Sequence, residues 1–174
     1  DVTSFGDVPE DELLAAAAAL ERASEHPLAE AIVEGAKARG LSLGNGEEFE
    51  AVTGKGVIGK VDGRDVALGN NALMTSLGID CDTGEETADR LRGEGKTAMF
   101  VALDGRLAGL VAVADPIKPT AEAAIRDLHD LGIKVIMATG DNERTALAVA
   151  SRLGIDEVRA GMLPEGKKDL IDGL

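Results

Sequence analysis

Thr139, Gly140 and Asp141, followed by Asn142, close an apolar run and open a helical pattern. Where a parallel strand ends and a helix begins, free backbone N–H groups and the positive end of the helix dipole face the same point, which suits a phosphoryl group. Thr139 can donate its hydroxyl there, and Asp141 can cap the helix or face a cation. The same residues also read as a plain strand, turn and capped helix. Lys167 starts another helix after Leu163-Pro164 and is either one more surface lysine or a point charge aimed back at Thr139 to neutralise transferred oxygens.

Six positions nearer the N-terminus bear on a ligand with a phosphate chain and a ring. Gly54 and Gly56, in ThrGlyLysGlyVal at 53–57, either let phosphates approach the backbone or serve a bulge or turn. Gly69 and Asn70 are open to the same two readings. Glu21 can accept from an exocyclic amine or sit on a solvated helix face. His26, within SerGluHisPro at 24–27, can contact a purine in a chain that has no Trp or Tyr, or it is a surface turn residue. His129 is assigned to the surface.

The elements that must position these groups follow from periodicity. Leu13, Ala16, Ala17 and Leu20 share a face of a helix over 11–23, and Pro27 starts a second helix that runs to about Arg39. From Glu48 the apolar period becomes two: Phe49 and Ala51, Val57 and Val61, then Val66 and Leu68. Asp62-Gly63 and Asp104-Gly105 lie between alternating runs and predict type I′ hairpins. Helices are expected over 71–77 and 85–93. This order predicts a largely antiparallel sheet with helices on one face. AspProIleLysPro at 115–119 breaks the pattern. Beyond it come a helix over 120–131, a buried strand over 134–138, a helix over 142–153 and a short strand near Val158, the alternation of a parallel α/β sheet.

Composition narrows the function. The 174 residues carry 32 acidic and 18 basic groups, a net charge of −14, which repels nucleic acid and anionic lipid surfaces. A nest of backbone N–H groups still accommodates one nucleotide. A single cysteine and two histidines leave neither a disulfide nor a Cys/His metal cage. The longest apolar run has eight residues, Leu13 to Leu20, against about 20 for a membrane span, so the chain is expected to be soluble.

Taken in order, SerGluHisProLeuAla, ThrGlyLysGlyVal, GlyAsn, AspProIleLys, ThrGlyAspAsn and LeuProGluGlyLys resemble the heavy-metal-transporting P-type ATPases across nearly the whole chain. The resemblance implies an α/β fold: a mainly antiparallel nucleotide-binding domain flanked by helices at 1–114, joined to part of a parallel, haloacid-dehalogenase-like phosphorylation domain at 115–174. It implies ATP with Mg²⁺, Glu21 and His26 at the adenine, Gly54 and Gly56 lining the cleft, and Gly69 with Asn70 completing it. Thr139, Gly140, Asp141 and Lys167 would hold the phosphoryl group. The GlyAsn and AspProIleLys motifs lean to the copper(I)-exporting branch over the zinc/cadmium/lead branch.

The AspLysThrGlyThr segment that such pumps phosphorylate does not occur in this sequence, nor does GlyAspGly-x-AsnAsp, which places Mg²⁺. The expectation is therefore a monomeric fragment from the cytoplasmic face of a membrane-embedded transporter, binding ATP or ADP without turnover and partnered by the rest of the pump. A free-standing phosphatase of the same fold would need an Asp-x-Asp nucleophile at the end of an early strand, and no such segment precedes residue 115. A nucleotide-binding module without catalysis is the remaining alternative.

Overall fold

A computed structural model of the chain describes residues 1–24, 26–114 and 117–162. In chain order the elements are β1 (Val2–Ser4), α1 (Glu10–Glu21), α2 (Pro27–Ala38), β2 (Gly46–Val52), β3 (Gly56–Val61), β4 (Arg64–Gly69), α3 (Asn71–Ser76), α4 (Asp82–Gly93), β5 (Thr97–Leu103) and β6 (Arg106–Val113). They are followed by α5 (Ala121–Asp130), β7 (Ile136–Ala138), α6 (Glu143–Leu153) and β8 (Glu157–Arg159). Two compact units result, residues 1–88 with 98–113, and residues 89–97 with the described residues from 114 onward.

The first unit is built on a six-stranded sheet in the order β1-β6-β5-β4-β3-β2. Both Asp-Gly pairs turn as expected: φ is 51° and 80° at Asp62 and Gly63, and 50° and 74° at Asp104 and Gly105. Two successive left-handed residues match the twist of the strands they join. The turn at 62–63 sets the β3–β4 register, so Val57 faces Leu68 and Gly56 faces Gly69. β1, which the sequence reading did not assign, pairs Val2, Thr3 and Ser4 with Val111, Leu110 and Gly109. Three residues are too few to display a period.

Strand alternation decides which side chains meet α1 and α2. Val57, Val61, Val66, Leu68, Val101 and Leu103 form one core with Leu13, Leu14, Ala17, Leu20, Ile32 and Ala36. Small residues let the layers close up: a Cβ on Gly59 would lie 2.7 Å from Leu20 Cδ1. Phe100, adjacent to Val101, points to the opposite face, where a Cβ on Gly84 of α4 would lie 3.1 Å from its ring. Helices thus cover both faces rather than the one expected, because helix order in the sequence carries no information about which side a helix returns to. α4 starts three residues before the expected Glu85, where the Asp80 carboxylate accepts from the Asp82 N–H at 2.8 Å.

At the outer border, β2 shifts register against β3 between Glu47 and Glu50. Glu48 sits in that irregularity at φ 54°, its carboxylate 2.8 Å from Lys60 Nζ.

In the second unit β7 and β8 pair in parallel, Ile136 with Glu157 and Ala138 with Arg159. The strand begins at Ile136 and not at Lys134, since the Asp156 carboxylate takes the Val135 N–H at 2.8 Å. It is half-buried rather than buried. α6 is capped at one end by the Asn142 side chain, which accepts from Arg144 N, and at the other by Gly154 in the left-handed region. His129, expected as a plain surface residue, places Nε2 3.0 Å from Asp156 Oδ2.

Candidate functional site

Glu21 is the last residue of α1 and only 6% exposed. Its position follows from helical spacing: Leu13, Ala17 and Glu21 lie at i, i+4 and i+8, so the carboxylate continues the buried stripe. The solvated alternative is excluded. Burial pushes the carboxyl above its ordinary range, against a hydrogen bond from Ser24 and the nearby His26 ring, which pull it down. Among the described residues its Oε2 is a buried side-chain oxygen without a hydrogen-bond partner. Such an atom costs free energy until a donor arrives.

His26 is exposed, and it has a structural duty that the sequence reading missed. It is the N-cap of α2, its Nδ1 accepting from the Leu28 N–H at 3.2 Å, with Pro27 in the first turn. In the neutral ring this places the proton on Nε2. Its own N–H donates to Ser24 Oγ at 3.2 Å. The cap role of His26 is visible in hindsight because Pro27 at a helix start makes residue 26 the cap position.

Gly54, Gly56, Gly69 and Asn70 are brought together by the ends of β3 and β4. The Asn70 side chain donates Nδ2–H to the Gly54 carbonyl at 2.9 Å, and its backbone N–H donates to the Lys55 carbonyl at 2.8 Å. A Cβ on Gly56 would stand 2.2 Å from Leu68 O, and one on Gly69 2.3 Å from Lys55 O. These two glycines are required by each other's backbone. Gly54 differs: φ is 71°, and nothing lies within 4 Å of where a Cβ would be. Its open side is the part of the turn that a ligand can approach.

Cavities among the described residues of this unit include a smaller and a larger one. A small one of about 190 Å³ borders the end of α1, lined by Ala19, Leu20, Arg22, Ala23, Asn45 and Phe49 among others. A larger one of about 450 Å³ includes Ile58, Lys60, Ala67, Leu77, Ile79 and Ala102 in its lining, and neither cavity is lined by a predicted site residue.

In the second unit, Thr139, Gly140 and Asp141 lie past the carboxyl end of β7 and ahead of α6, as expected. Thr139 Oγ1 donates to Asp141 Oδ2 at 2.8 Å and accepts from the Asp141 N–H at 3.1 Å. The capping alternative for Asp141 falls to Asn142. Met162 N donates to the Thr139 carbonyl and Gly161 N to the Asp141 carbonyl, both at 2.9 Å, which ties the turn to the segment after β8. Lys167 lies outside the described residues. Among those residues no group of three His, Cys, Asp or Glu side chains could hold a metal, so Asp141 alone does not make a Mg²⁺ cage. No described helix is long and apolar enough to cross a membrane.

With this geometry in place, a family model described as haloacid dehalogenase-like hydrolase matches residues 7–174. The chain belongs to the haloacid dehalogenase-like hydrolase family. Within it, the chain is 65% identical over 174 residues to a copper-transporting P-type ATPase of Rhizobium leguminosarum bv. viciae, covering 100% of this chain and 21% of that relative. It is 47% identical over 165 residues to a silver exporting P-type ATPase of Salmonella typhimurium, covering 95% of this chain and 20% of that one. Among solved structures, a zinc-transporting PIB-type ATPase in the E2.Pi state matches with a TM-score of 0.68 and 32% identity over 99% of this chain and 28% of that chain. The N-domain of HMA8, a copper-transporting P-type ATPase, matches with a TM-score of 0.54 and 28% identity over 66% of this chain and 97% of that chain. The expected resemblance to P-type ATPases of the copper branch, and the mixed α/β fold it implied, are borne out. The chain spans about a fifth of the length of the curated relatives it matches.

Proposed function

We propose that this chain is the ATP-binding portion of a copper-exporting P-type ATPase, with a nucleotide-binding domain at 1–114 and part of the phosphorylation domain at 115–174. The observation that carries the nucleotide reading is the buried, unpartnered Glu21 oxygen beside His26. A purine brings both what the carboxylate lacks, an amine donor, and a flat ring for the imidazole. ATP or ADP would then run from Glu21 and His26 past the open side of Gly54, with Gly56, Gly69 and Asn70 fixing the turn. Bound ATP supplies the phosphoryl group that the whole pump transfers to an aspartate.

This chain's own contribution is to bind and orient. Thr139, Gly140 and Asp141 present a hydroxyl, a backbone turn and the N-terminus of α6, and Lys167 is assigned the neutralising charge. A magnesium ion would travel with the nucleotide's phosphates. Without an AspLysThrGlyThr segment the chain forms no covalent phosphoenzyme. Its partners are the nucleotide and the rest of the pump, and its place is the cytoplasmic face of the membrane. Copper is favoured over zinc, cadmium or lead because curated relatives at 65% and 52% identity are copper-transporting and copper-exporting ATPases.

Titration of the isotopically labelled chain with ATP is expected to shift the amides around 21–26 and 53–56. Shifts confined to other residues would refute the site, and acid-stable phosphate incorporated from labelled ATP would refute the binding-only role. For the whole pump in vesicles, ATP hydrolysis stimulated by copper(I) is expected, and stimulation by zinc alone would move the assignment to the other branch.

A further inference from the structure

Asn70 has the composition of a ligand-binding residue, yet one donor and one acceptor of its amide already serve the fold. Nδ2 donates to the Gly54 carbonyl at 2.9 Å, and Oδ1 accepts from the Leu73 N–H at 3.0 Å, capping α3. Its backbone N–H donates to the Lys55 carbonyl at 2.8 Å, and the Lys55 N–H donates back to Val52 O at 2.9 Å. The turn at 53–55 is therefore tied at three points, two of them by Asn70. Gly54 is left with one open side and a left-handed φ that the tie maintains.

We propose that Asn70 is a positioning residue, which holds the Gly54–Lys55 turn in a ligand-ready shape and does not itself touch the nucleotide. The inference rests on the nucleotide reading above. An amide is the side chain this junction needs, because it must accept from a helix N–H at one atom and donate to a carbonyl at the other. A serine can accept from Leu73 N as a cap but is too short to reach Gly54 O. An aspartate caps equally well but sets an acceptor against an acceptor.

The test uses the whole chain carrying Asn70→Ser, Gly54→Ala, or both, read by amide hydrogen exchange and ATP titration. In Asn70→Ser the Lys55 amide is expected to exchange about tenfold faster while the Leu73 amide keeps its protection, the loss of one hydrogen bond. ATP affinity is expected to fall by a similar factor, and the double variant to bind no worse than the weaker single one, since both act through the same turn. Losses that multiply, with Lys55 exchange unchanged, would mean that Asn70 contacts the ligand and would overturn the proposal. Faster exchange without loss of affinity would overturn it too.

Asn70→Asp gives an independent exchange measurement should the serine variant unfold, and unfolding of both would reduce Asn70 to a fold residue and end the proposal. If the unsubstituted chain fails to bind ATP, the nucleotide reading fails, while the exchange experiment still decides whether Asn70 clamps the turn.

Discussion

Substituting alanine at Gly56 and at Gly54, two residues apart, separates a glycine held by packing from one required only by its backbone angle. A Cβ at Gly56 would stand 2.2 Å from Leu68 O and 2.5 Å from Gly69 Cα, and both are backbone atoms of the paired strand. Relief to an ordinary contact of about 3.4 Å requires the strands to part by about 1 Å at their last rung. Overpacking of this kind costs about 1–3 kcal/mol. The φ of 147° adds strain of about 1–3 kcal/mol for a residue with a side chain. Gly56→Ala is thus expected to remove about 2–6 kcal/mol, against the 5–15 kcal/mol that holds an ordinary domain together. At Gly54 nothing lies within 4 Å, and only the left-handed φ of 71° is penalised, at about 1 kcal/mol. The chain has neither Trp nor Tyr, so unfolding in urea is followed by far-ultraviolet circular dichroism and extrapolated linearly. Equal costs within about 0.5 kcal/mol, or a larger cost at Gly54, would refute the packing argument.

Three further outcomes follow from the same geometry. His26→Asn, which keeps a capping side chain on α2 but loses the ring, is expected to weaken ATP binding with a stability change below about 1 kcal/mol, measured by titration and urea unfolding. Glu21 is a carboxyl raised in the folded state, so the native chain holds its proton to higher pH than the unfolded chain does, and stability declines as pH rises from the ordinary carboxyl range through the folded value. Glu21→Gln should abolish that decline and stabilise the ligand-free chain at neutral pH by about 1 kcal/mol, and an unchanged pH profile would count against the burial argument. Cys81 is 3% exposed and its thiol is pushed up to about 11 by burial, so alkylation at neutral pH should proceed only as fast as the fold opens.

Much of the local geometry of the candidate site is legible in residue order. The hairpin signal at Asp62-Gly63 fixes a register in which residues 56 and 69 must oppose each other, so the glycine pair follows from the turn alone. The burial of Glu21 was likewise available from its spacing after Leu13 and Ala17, although its charge argued for solvent. What the sequence could not convey was where bonds close between distant segments. Asn70 reaches Gly54, and α4 lies on the face opposite α1, through pairings that depend on the whole sheet. The capping role of His26 is not legible in its residue type, since histidine is an uncommon cap, and the bond from the Leu28 N–H reveals it.

The border strand β2 carries Glu47, Glu48 and Glu50, with a break in its ladder between the first and last of these. Two copies laid rim against rim would bring like charges together along an interrupted row of hydrogen-bonding groups, so neither could extend the other's sheet. The acidity of this border therefore guards the chain against fibrillar stacking.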